Sequence, residues 1–292
     1  AVIAALWSGA LYAAPMPVVA SFSILGDVAQ QIGGERVAVQ SLVGANQDAH
    51  AYNLTSSDIK KIREARLVLL NGLGLEKAEL QRAVKQSKVA SAEATAGIKP
   101  LAADEHHHEH NHGHDHDHGE FDPHVWNDPV LMQRYAANVA IALIKADPAG
   151  SRYYQQRFKD YQNVLNQLNN YANQQFGAVA PAKRKVLTGH DSFAYLGKRY
   201  QVKFISPQGV SSEAEPSARQ ITAIIRQIKA ENVKAVFTEN IKDGRMIARI
   251  AKETGVKVSG GLYADALSSG APAGTYADMF RYNVRVMSEA MK

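Results

Sequence analysis

Cysteine is absent from all 292 residues of this sequence. That absence excludes disulfide bonds, thiolate metal ligands and a cysteine nucleophile. Any metal site in this chain must use imidazole, carboxylate, carbonyl or water ligands. This ligand set suits zinc, manganese or iron and excludes the all-thiolate structural sites.

Aromatic residues are few, at 8%, and the formal charge of +5 is spread along the chain instead of being gathered into basic blocks. Nucleic acid is therefore not an expected partner. The apolar fraction of 46% and the charged fraction of 21% are typical of a globular protein. The length is sufficient for two domains, each with its own core.

The apolar stretch at residues 1–14, AVIAALWSGALYAA, is too short to span a membrane. It resembles the hydrophobic region and cleavage end of a secretory signal, and we interpret it as a residual signal peptide, with a buried first strand as the alternative. The mature protein would then begin near Ala14 or Pro15. Because no cysteine is available there, we expect no lipid anchor, which favours the periplasm over a Gram-positive cell surface.

Short β-branched runs alternate with amphipathic helices from Val18 onward, which predicts parallel βαβ units in both halves of the chain. We expect an N-terminal lobe over residues 15–148, a linker helix over 149–178 and a C-terminal lobe over 179–292. The linker has no internal proline or glycine and carries apolar residues at helical spacing, so it is expected to form one rigid strut. A helix pair broken near Asn169 and Asn170 is the alternative.

The strands and helices predicted for the two lobes can be given residue by residue. Predicted strands cover 18–23, 37–43, 67–71, 89–92, 185–188, 202–206, 233–238 and 256–262. Predicted helices cover 24–32, 59–65, 75–86, 129–146, 193–200, 217–229, 245–253 and 276–291. The fold class is therefore α/β.

Eight of the eleven histidines fall in one segment, residues 104–119, which has no helical or strand periodicity. They are His106, His107, His108, His110, His112, His114, His116 and His118. This loop can bind zinc weakly in several registers, either for capture, delivery or sensing, or incidentally as a solvated insert.

The other three histidines, His50, His124 and His190, each follow a predicted strand end, where open α/β folds place their ligands. Each has an acidic neighbour, Asp48, Asp122 or Asp191, that can orient the imidazole ring. A metal is the expected ligand. A carboxylate from the second lobe would complete a four-ligand site, with Asp265 as the first choice and Glu239 as the reserve.

Five short motifs lie along the chain: DAHAY at 48–52, DPHVW at 122–126, TGHDSF at 188–193, FTEN at 237–240 and LYADAL at 262–267. In order and spacing they resemble the motifs of the zinc and manganese solute-binding proteins of ABC importers, also called cluster A-I. The resemblance spans Pro15 to Lys292.

That resemblance implies two four-stranded α/β lobes joined by one long helix, with a single metal buried between them. The ligands it implies are His50, His124, His190 and Asp265. Manganese-binding relatives usually have a carboxylate at the third position, whereas the zinc-binding members have histidine there and a histidine-rich loop. Three imidazoles and one carboxylate also favour zinc on ligand softness. Ala49 and Leu54 replace prolines that are frequent in the family, so we expect a less rigid backbone around His50.

The resulting prediction is a monomeric periplasmic protein that holds one tightly bound Zn²⁺ and delivers it to an ABC permease and its ATPase, without enzymatic activity. A manganese- or iron-binding member of the same family, a surface adhesin and a zinc buffer are the alternatives. A zinc hydrolase with Glu239 as general base is a further one, although no HExxH motif is present. We expect metal affinity to fall below about pH 6, where histidines of ordinary pKa become protonated, and we expect only small changes of shape on metal release.

Overall fold

The computed structural model of the protein describes residues 14–103 and 121–292. Residues 1–13 of the expected signal segment and all eight histidines of the 104–119 loop lie outside the described residues. The first lobe contains, in chain order, β1 (Met16–Phe22), α1 (Ser23–Gly33), β2 (Val37–Val43), α2 (Ser56–Glu64), β3 (Leu67–Leu70), α3 (Ala78–Ser87), β4 (Ala90–Glu93) and α4 (Leu131–Ala146). No helix in these described ranges is long and apolar enough to cross a lipid bilayer.

A long helix, α5 (Ser151–Gly177), leads to the second lobe. That lobe contains β5 (Lys185–Leu187), α6 (Ala194–Tyr200), β6 (Lys203–Ile205), α7 (Ala218–Glu231), β7 (Ala235–Glu239), α8 (Arg245–Thr254), β8 (Gly260–Leu262) and α9 (Tyr276–Met291). The predicted fold class is confirmed.

Both lobes are built on a four-stranded parallel sheet with the same strand order. The first sheet runs β2-β1-β3-β4 and the second runs β6-β5-β7-β8. Strand β3 is buried along its whole length, as expected for a central strand covered by helices on both faces. Because every strand in a sheet points the same way, the loops that follow the strands gather along one edge of each lobe.

Helix α5 is one continuous element of 27 residues, about 40 Å long. The alternative of a break near Asn169 and Asn170 is wrong. Its buried stripe follows helical spacing and consists of Tyr154, Tyr161, Leu165, Leu168, Ala172 and Phe176. This stripe contacts α4 of the first lobe and α9 of the second, so the strut packs against both lobes along its length.

One hydrophobic core runs through both lobes and α5. Hydrogen bonds join the lobes beside it: the backbone N–H of Tyr276 donates to Asp27 Oδ2 at 2.8 Å, and that of Leu267 donates to Ser23 Oγ at 3.0 Å. Opening the lobes as rigid bodies would expose this apolar surface to water. A continuous core of this kind supports the expectation of small shape changes.

Two elements start three or four residues later than the sequence pattern predicts. Helix α3 begins at Ala78 instead of Leu75, because Gly72, Leu73 and Gly74 all have positive φ angles and form a turn ahead of it. Strand β8 starts at Gly260 instead of Val256. The backbone N–H of Val256 still bonds to Ala251 O at the end of α8, so this residue belongs to the helix terminus.

Helix α2 begins at a complete capping box, which gives a testable estimate of local stability. The Thr55 hydroxyl accepts from the N–H of Asp58 at 3.2 Å, and Asp58 Oδ2 accepts from the N–H of Thr55 at 3.0 Å. We expect Thr55→Ala to lower the free energy of unfolding by about 1 kcal/mol, because it leaves an N–H group at the end of the helix without its partner. Urea denaturation measures this change.

Ser57→Ala, at an exposed position in the same helix, is the control and should change the free energy of unfolding by less than about 0.5 kcal/mol. Equal losses in both variants would contradict a capping role for Thr55.

Candidate metal centre

Four side chains that can ligate a metal come together between the lobes, each from a loop that follows a strand. His50 follows β2, His124 lies between β4 and α4, His190 follows β5, and Asp265 follows β8. His124, His190 and Asp265 are fully buried, and His50 is 7% exposed. The parallel sheets thus bring together at their carboxyl edges residues that are far apart in sequence.

The ligand atoms of these four residues all lie within 4.8 Å of one another. His50 Nε2 is 3.2 Å from His124 Nε2. Asp265 Oδ2 is 3.0 Å from His50 Nε2 and 2.9 Å from His190 Nε2, and Asp265 Oδ1 is 3.4 Å from His124 Nε2. Ligands bound tetrahedrally at about 2.0–2.1 Å are about 3.3 Å apart. The cluster can therefore hold one metal ion at its centre.

Carboxylates hold two of the three imidazoles from the side away from the centre. Asp122 Oδ1 lies 2.7 Å from His124 Nδ1 and also accepts from the N–H of His124 at 2.9 Å. Glu239 Oε2 lies 2.6 Å from His190 Nδ1. In both cases the contact fixes the ring orientation and leaves Nε2 directed at the centre, an arrangement that also makes the ring a better ligand.

Glu239, the reserve ligand, is already engaged by the loop that carries His190. Its Oε1 accepts the backbone N–H groups of Gly189 and His190 at 3.0 and 3.1 Å, while its Oε2 faces Nδ1 of the ring. This places the carboxylate behind His190 and outside the four-residue cluster. Its geometry suits an orienting group, a role for which the sequence pattern had suggested the neighbour Asp191.

Asp48 differs from Asp122 and Glu239 because it contacts the backbone of its histidine and not the ring. Its Oδ1 accepts from the N–H of His50 at 2.9 Å, and its Oδ2 accepts from the hydroxyl of Ser212 in the second lobe at 2.5 Å. Within the described residues, no side chain pairs with Nδ1 of His50. Ser212 is a contact that the sequence could not reveal, since 164 positions separate the two partners.

The charges of the cluster suit a divalent cation. Burial by itself lowers the pKa of His124, but Asp265 and Asp122 outweigh it and raise that pKa to about 9. Burial also lowers the pKa of His190, but the carboxylates of Glu239 and Asp265 outweigh this effect and raise that pKa well above its usual value. Burial raises the pKa of Asp265, but the two imidazoles hold it well below its usual value, so the carboxylate is ionised.

One oxygen of that carboxylate has no hydrogen bond. Asp265 Oδ1 is buried and makes no hydrogen bond within the described part of the chain, where its ion-pair contact, His124 Nε2, lies 3.4 Å away. A buried anionic oxygen without a donor is costly unless a cation satisfies it. The donor set of three imidazoles and one such carboxylate therefore fits a bound metal ion.

Trp126 forms the wall of the centre next to His124, and it links the lobes. Its ring centroid lies 5.1 Å from that of His124 and 5.0 Å from that of Phe22. Its indole N–H donates to Ala264 O at 2.8 Å, immediately before Asp265 in the chain. The side chain is fully buried, and it couples the turn of His124 to the loop of Asp265.

Comparison with known proteins places these features in context. A family profile described as ZnuA, zinc-uptake complex component A, periplasmic, matches residues 18–290. The chain is 32% identical over 287 residues to the manganese-binding lipoprotein MntA of Bacillus subtilis, covering 95% of this chain and 90% of that protein. It is 27% identical over 277 residues to the iron ABC transporter substrate-binding lipoprotein MtsA of Streptococcus pyogenes serotype M1, covering 94% of this chain and 89% of that protein.

Solved structures give the same picture. The periplasmic zinc-binding protein TroA from Treponema pallidum superposes with a TM-score of 0.87 at 26% identity, covering 95% of this chain and 99% of that one. A manganese-bound periplasmic metal-binding protein from Candidatus Liberibacter asiaticus superposes with a TM-score of 0.80 at 28% identity, covering 95% and 100%. These proteins are named for three different metals, and several relatives are named as lipoproteins, at odds with the expected lack of a lipid anchor. That expectation stays a prediction.

Proposed function

The chain belongs to the ZnuA family of metal-binding solute-binding proteins of ABC importers, and from that premise we propose that it captures Zn²⁺ between its lobes and delivers it for import. Solute-binding proteins of this kind work with a membrane permease and an ATPase, and they are not enzymes. The hydrolase considered from the sequence is therefore set aside. Zinc in this proposal is the cargo and not a resident cofactor.

The observation that carries the proposal is the donor set. His50, His124, His190 and Asp265 supply three imidazole nitrogens and one carboxylate within 4.8 Å. Zinc readily accepts four ligands of these types in a tetrahedron, whereas manganese favours more oxygen ligands and a larger coordination number. The observed separations of 2.9 to 3.4 Å are close to a tetrahedral edge.

Manganese or iron is the second candidate cargo. Relatives named for manganese and iron cover most of this chain, at 32% and 27% identity. The carboxylate of Asp265 also has both oxygens within 3.4 Å of histidine nitrogens, so it has the reach to bind a metal through two oxygens. Two-oxygen binding would raise the coordination number toward that favoured by manganese.

The proposal extends to setting and assembly. We place the protein outside the cytoplasm as a periplasmic monomer, with a N-terminal lobe to residue 148, a linker helix to 178 and the second lobe beyond it. The histidine-rich segment 104–119 is proposed to collect zinc weakly and pass it to the centre. Imidazole-rich segments bind zinc in several registers, which suits capture and transfer more than storage at one site.

A variant that lacks residues 104–119 separates the two kinds of zinc binding. We expect it to keep one tightly bound zinc, because the proposed ligands come from other loops, and to lose the additional weak sites. Chelator competition measures the zinc affinity, and the same titration with manganese present measures selectivity. Displacement of zinc by equimolar manganese would favour the second candidate. Loss of the tight site together with the segment would refute the assignment of the centre.

A further inference from the structure

Glu76 is a buried carboxylate outside the metal centre, and the turn in front of it converges on its two oxygens. Oε1 accepts from the N–H of Asn71 at 2.6 Å and from the hydroxyl of Ser21 at 2.7 Å. Oε2 accepts from the N–H of Gly72 at 3.0 Å. Within the described residues, no lysine, arginine or histidine forms an ion pair with it. The carboxylate therefore acts as an acceptor for a backbone turn.

That turn has an unusual shape. Gly72, Leu73 and Gly74 have φ angles of 89°, 56° and 79°, all in the left-handed region. A leucine is disfavoured there because its Cβ crowds the backbone. The N–H groups of Asn71 and Gly72, at the start of the turn, both donate to the carboxylate of Glu76. These hydrogen bonds stabilise the left-handed backbone conformation of the turn.

The side chain of Asn71 connects this turn to the segment that leads into the metal centre. Its Nδ2 donates to Pro123 O at 3.1 Å and to Gly72 O at 3.0 Å, and its Oδ1 accepts from the hydroxyl of Tyr135 at 2.9 Å. Both donors and the acceptor of the amide are thus engaged, which fixes its orientation. Pro123 immediately precedes His124.

A second contact holds the same segment from the other lobe. The hydroxyl of Tyr195 donates to Asp122 O at 2.6 Å, one residue before Pro123. The peptide carbonyls of Asp122 and Pro123 are therefore held by one side chain from each lobe, Tyr195 and Asn71. Release of the Asn71 contact would remove the hydrogen bond that ties this segment to the turn at Gly72.

We propose that Glu76 is a positioning residue for metal binding, which acts through Asn71 and Pro123 O to hold the turn that presents His124. This inference rests on the proposed function. A ligand atom must be held within about 0.5 Å to keep its bond geometry. Glu76 contacts neither the ligand nor the carboxylate behind it, so its effect is indirect and smaller than theirs.

Glu76→Gln tests the proposal. Its amide offers one acceptor oxygen to three donors, so the turn loses at least one hydrogen bond. We expect zinc to bind about tenfold more weakly, the lower end of the range for groups that support metal ligands. The visible absorption of bound Co²⁺ should also change, because that spectrum reports ligand geometry and not stability.

Asp147→Asn is the matched control. Asp147 accepts from Arg36 at 2.7 Å and from Tyr154 at 2.6 Å, and Arg36 directly precedes β2, at the edge of the sheet opposite the metal centre. This variant should lose stability while its zinc affinity and Co²⁺ spectrum stay unchanged. If Glu76→Gln behaves in the same way, with zinc affinity within about twofold of the unaltered protein, Glu76 has a purely structural role and the proposal is overturned.

Asn71→Ala tests the connection independently, including the case in which Glu76→Gln does not fold. We expect it to weaken zinc binding and to change the Co²⁺ spectrum, and Glu76→Gln added to it should have no further effect on affinity, because both act through one contact. Unchanged affinity and spectrum in Asn71→Ala would break the proposed path. If the unaltered protein binds no zinc, the proposed function is refuted. If the unaltered protein binds zinc but the variants bind it equally well, only the inference about Glu76 is refuted.

Discussion

Replacement of Asp265 by asparagine should weaken zinc binding by about a thousandfold. Its carboxylate is the one anionic group among the four proposed ligands, and its Oδ2 lies 2.9 and 3.0 Å from two of the imidazole nitrogens. Removal of one partner from a buried charge pair costs about 3–5 kcal/mol, and about 1.4 kcal/mol corresponds to tenfold in affinity. Chelator competition at pH 7.5 measures the change directly.

Glu239→Gln is the informative comparison, since Glu239 was the other carboxylate considered as a ligand. The structure places it behind His190, where it accepts two backbone N–H groups and contacts Nδ1. Loss of such a supporting group costs about 10- to 100-fold in metal affinity. If Glu239→Gln lowered the zinc affinity more than Asp265→Asn did, Glu239 would be the ligand and Asp265 the supporting group. Circular dichroism of both metal-free variants establishes that each is folded.

The fold was predictable because its signals are local. Strand β2 was predicted with the observed ends, Val37 and Val43, and α9 with Tyr276 and Met291. The hydrophobic pattern of each segment selects strand or helix, and the order of the segments implies parallel strands. Parallel strands in turn place His50 and His124 at the carboxyl edge of the first sheet and His190 at that of the second. That the two edges face each other was implied only by the family resemblance.

The choice between Asp265 and Glu239 was not available from the same reasoning. Both follow or end a strand of the second lobe, and both are acidic. Glu239 is the last residue of β7, and β7 pairs with β5, the strand that leads to His190. The pairing places its side chain beside the backbone of His190. Strand order decides this contact, and strand order is a tertiary property.

The contacts that support the metal centre could not be predicted from the sequence either. Glu76 and Asn71 lie in an ordinary-looking NGLGLE segment, and Asn71 meets Pro123 across 52 positions. Sequence showed only a glycine pair after a strand, which the phosphate-loop pattern does not match. The positive φ of Leu73, which makes the turn unusual, depends on hydrogen bonds that form only in the folded protein.

Zinc affinity should rise steeply with pH across the neutral range, well above the pH of 6 expected from ordinary histidines. The carboxylates of Asp265 and Asp122 overcome burial and raise the pKa of His124 to about 9, and those of Glu239 and Asp265 raise the pKa of His190 well above its usual value. Both rings therefore hold protons at pH 7 that zinc must displace. Each displaced proton gives about a tenfold gain per pH unit below the pKa of its ring, so the gain between pH 7 and 8 should be at least about tenfold and at most about a hundredfold.

The stability of the metal-free protein should fall as the pH rises, opposite to the zinc affinity. The pKa of His124 is about 9 in the folded state and about 6.5 in the unfolded state, so its protonation stabilises the fold. That contribution is complete below about pH 6.5 and is lost as the pH rises through 9. The pKa of Asp265 lies well below its usual value, so this group stays ionised and adds no slope in this window.

The two effects together predict that the increase in Tm caused by zinc grows from pH 6.5 to pH 8.5. Differential scanning fluorimetry with and without zinc measures it, and isothermal titration in buffers of different ionisation enthalpy counts the protons released. Asp122→Asn removes the carboxylate behind His124, which should lower the pKa of that ring and flatten the dependence. A zinc-induced increase in Tm that is the same at all pH values would show that zinc displaces no protons, and the raised pKa values of the two rings would then be wrong.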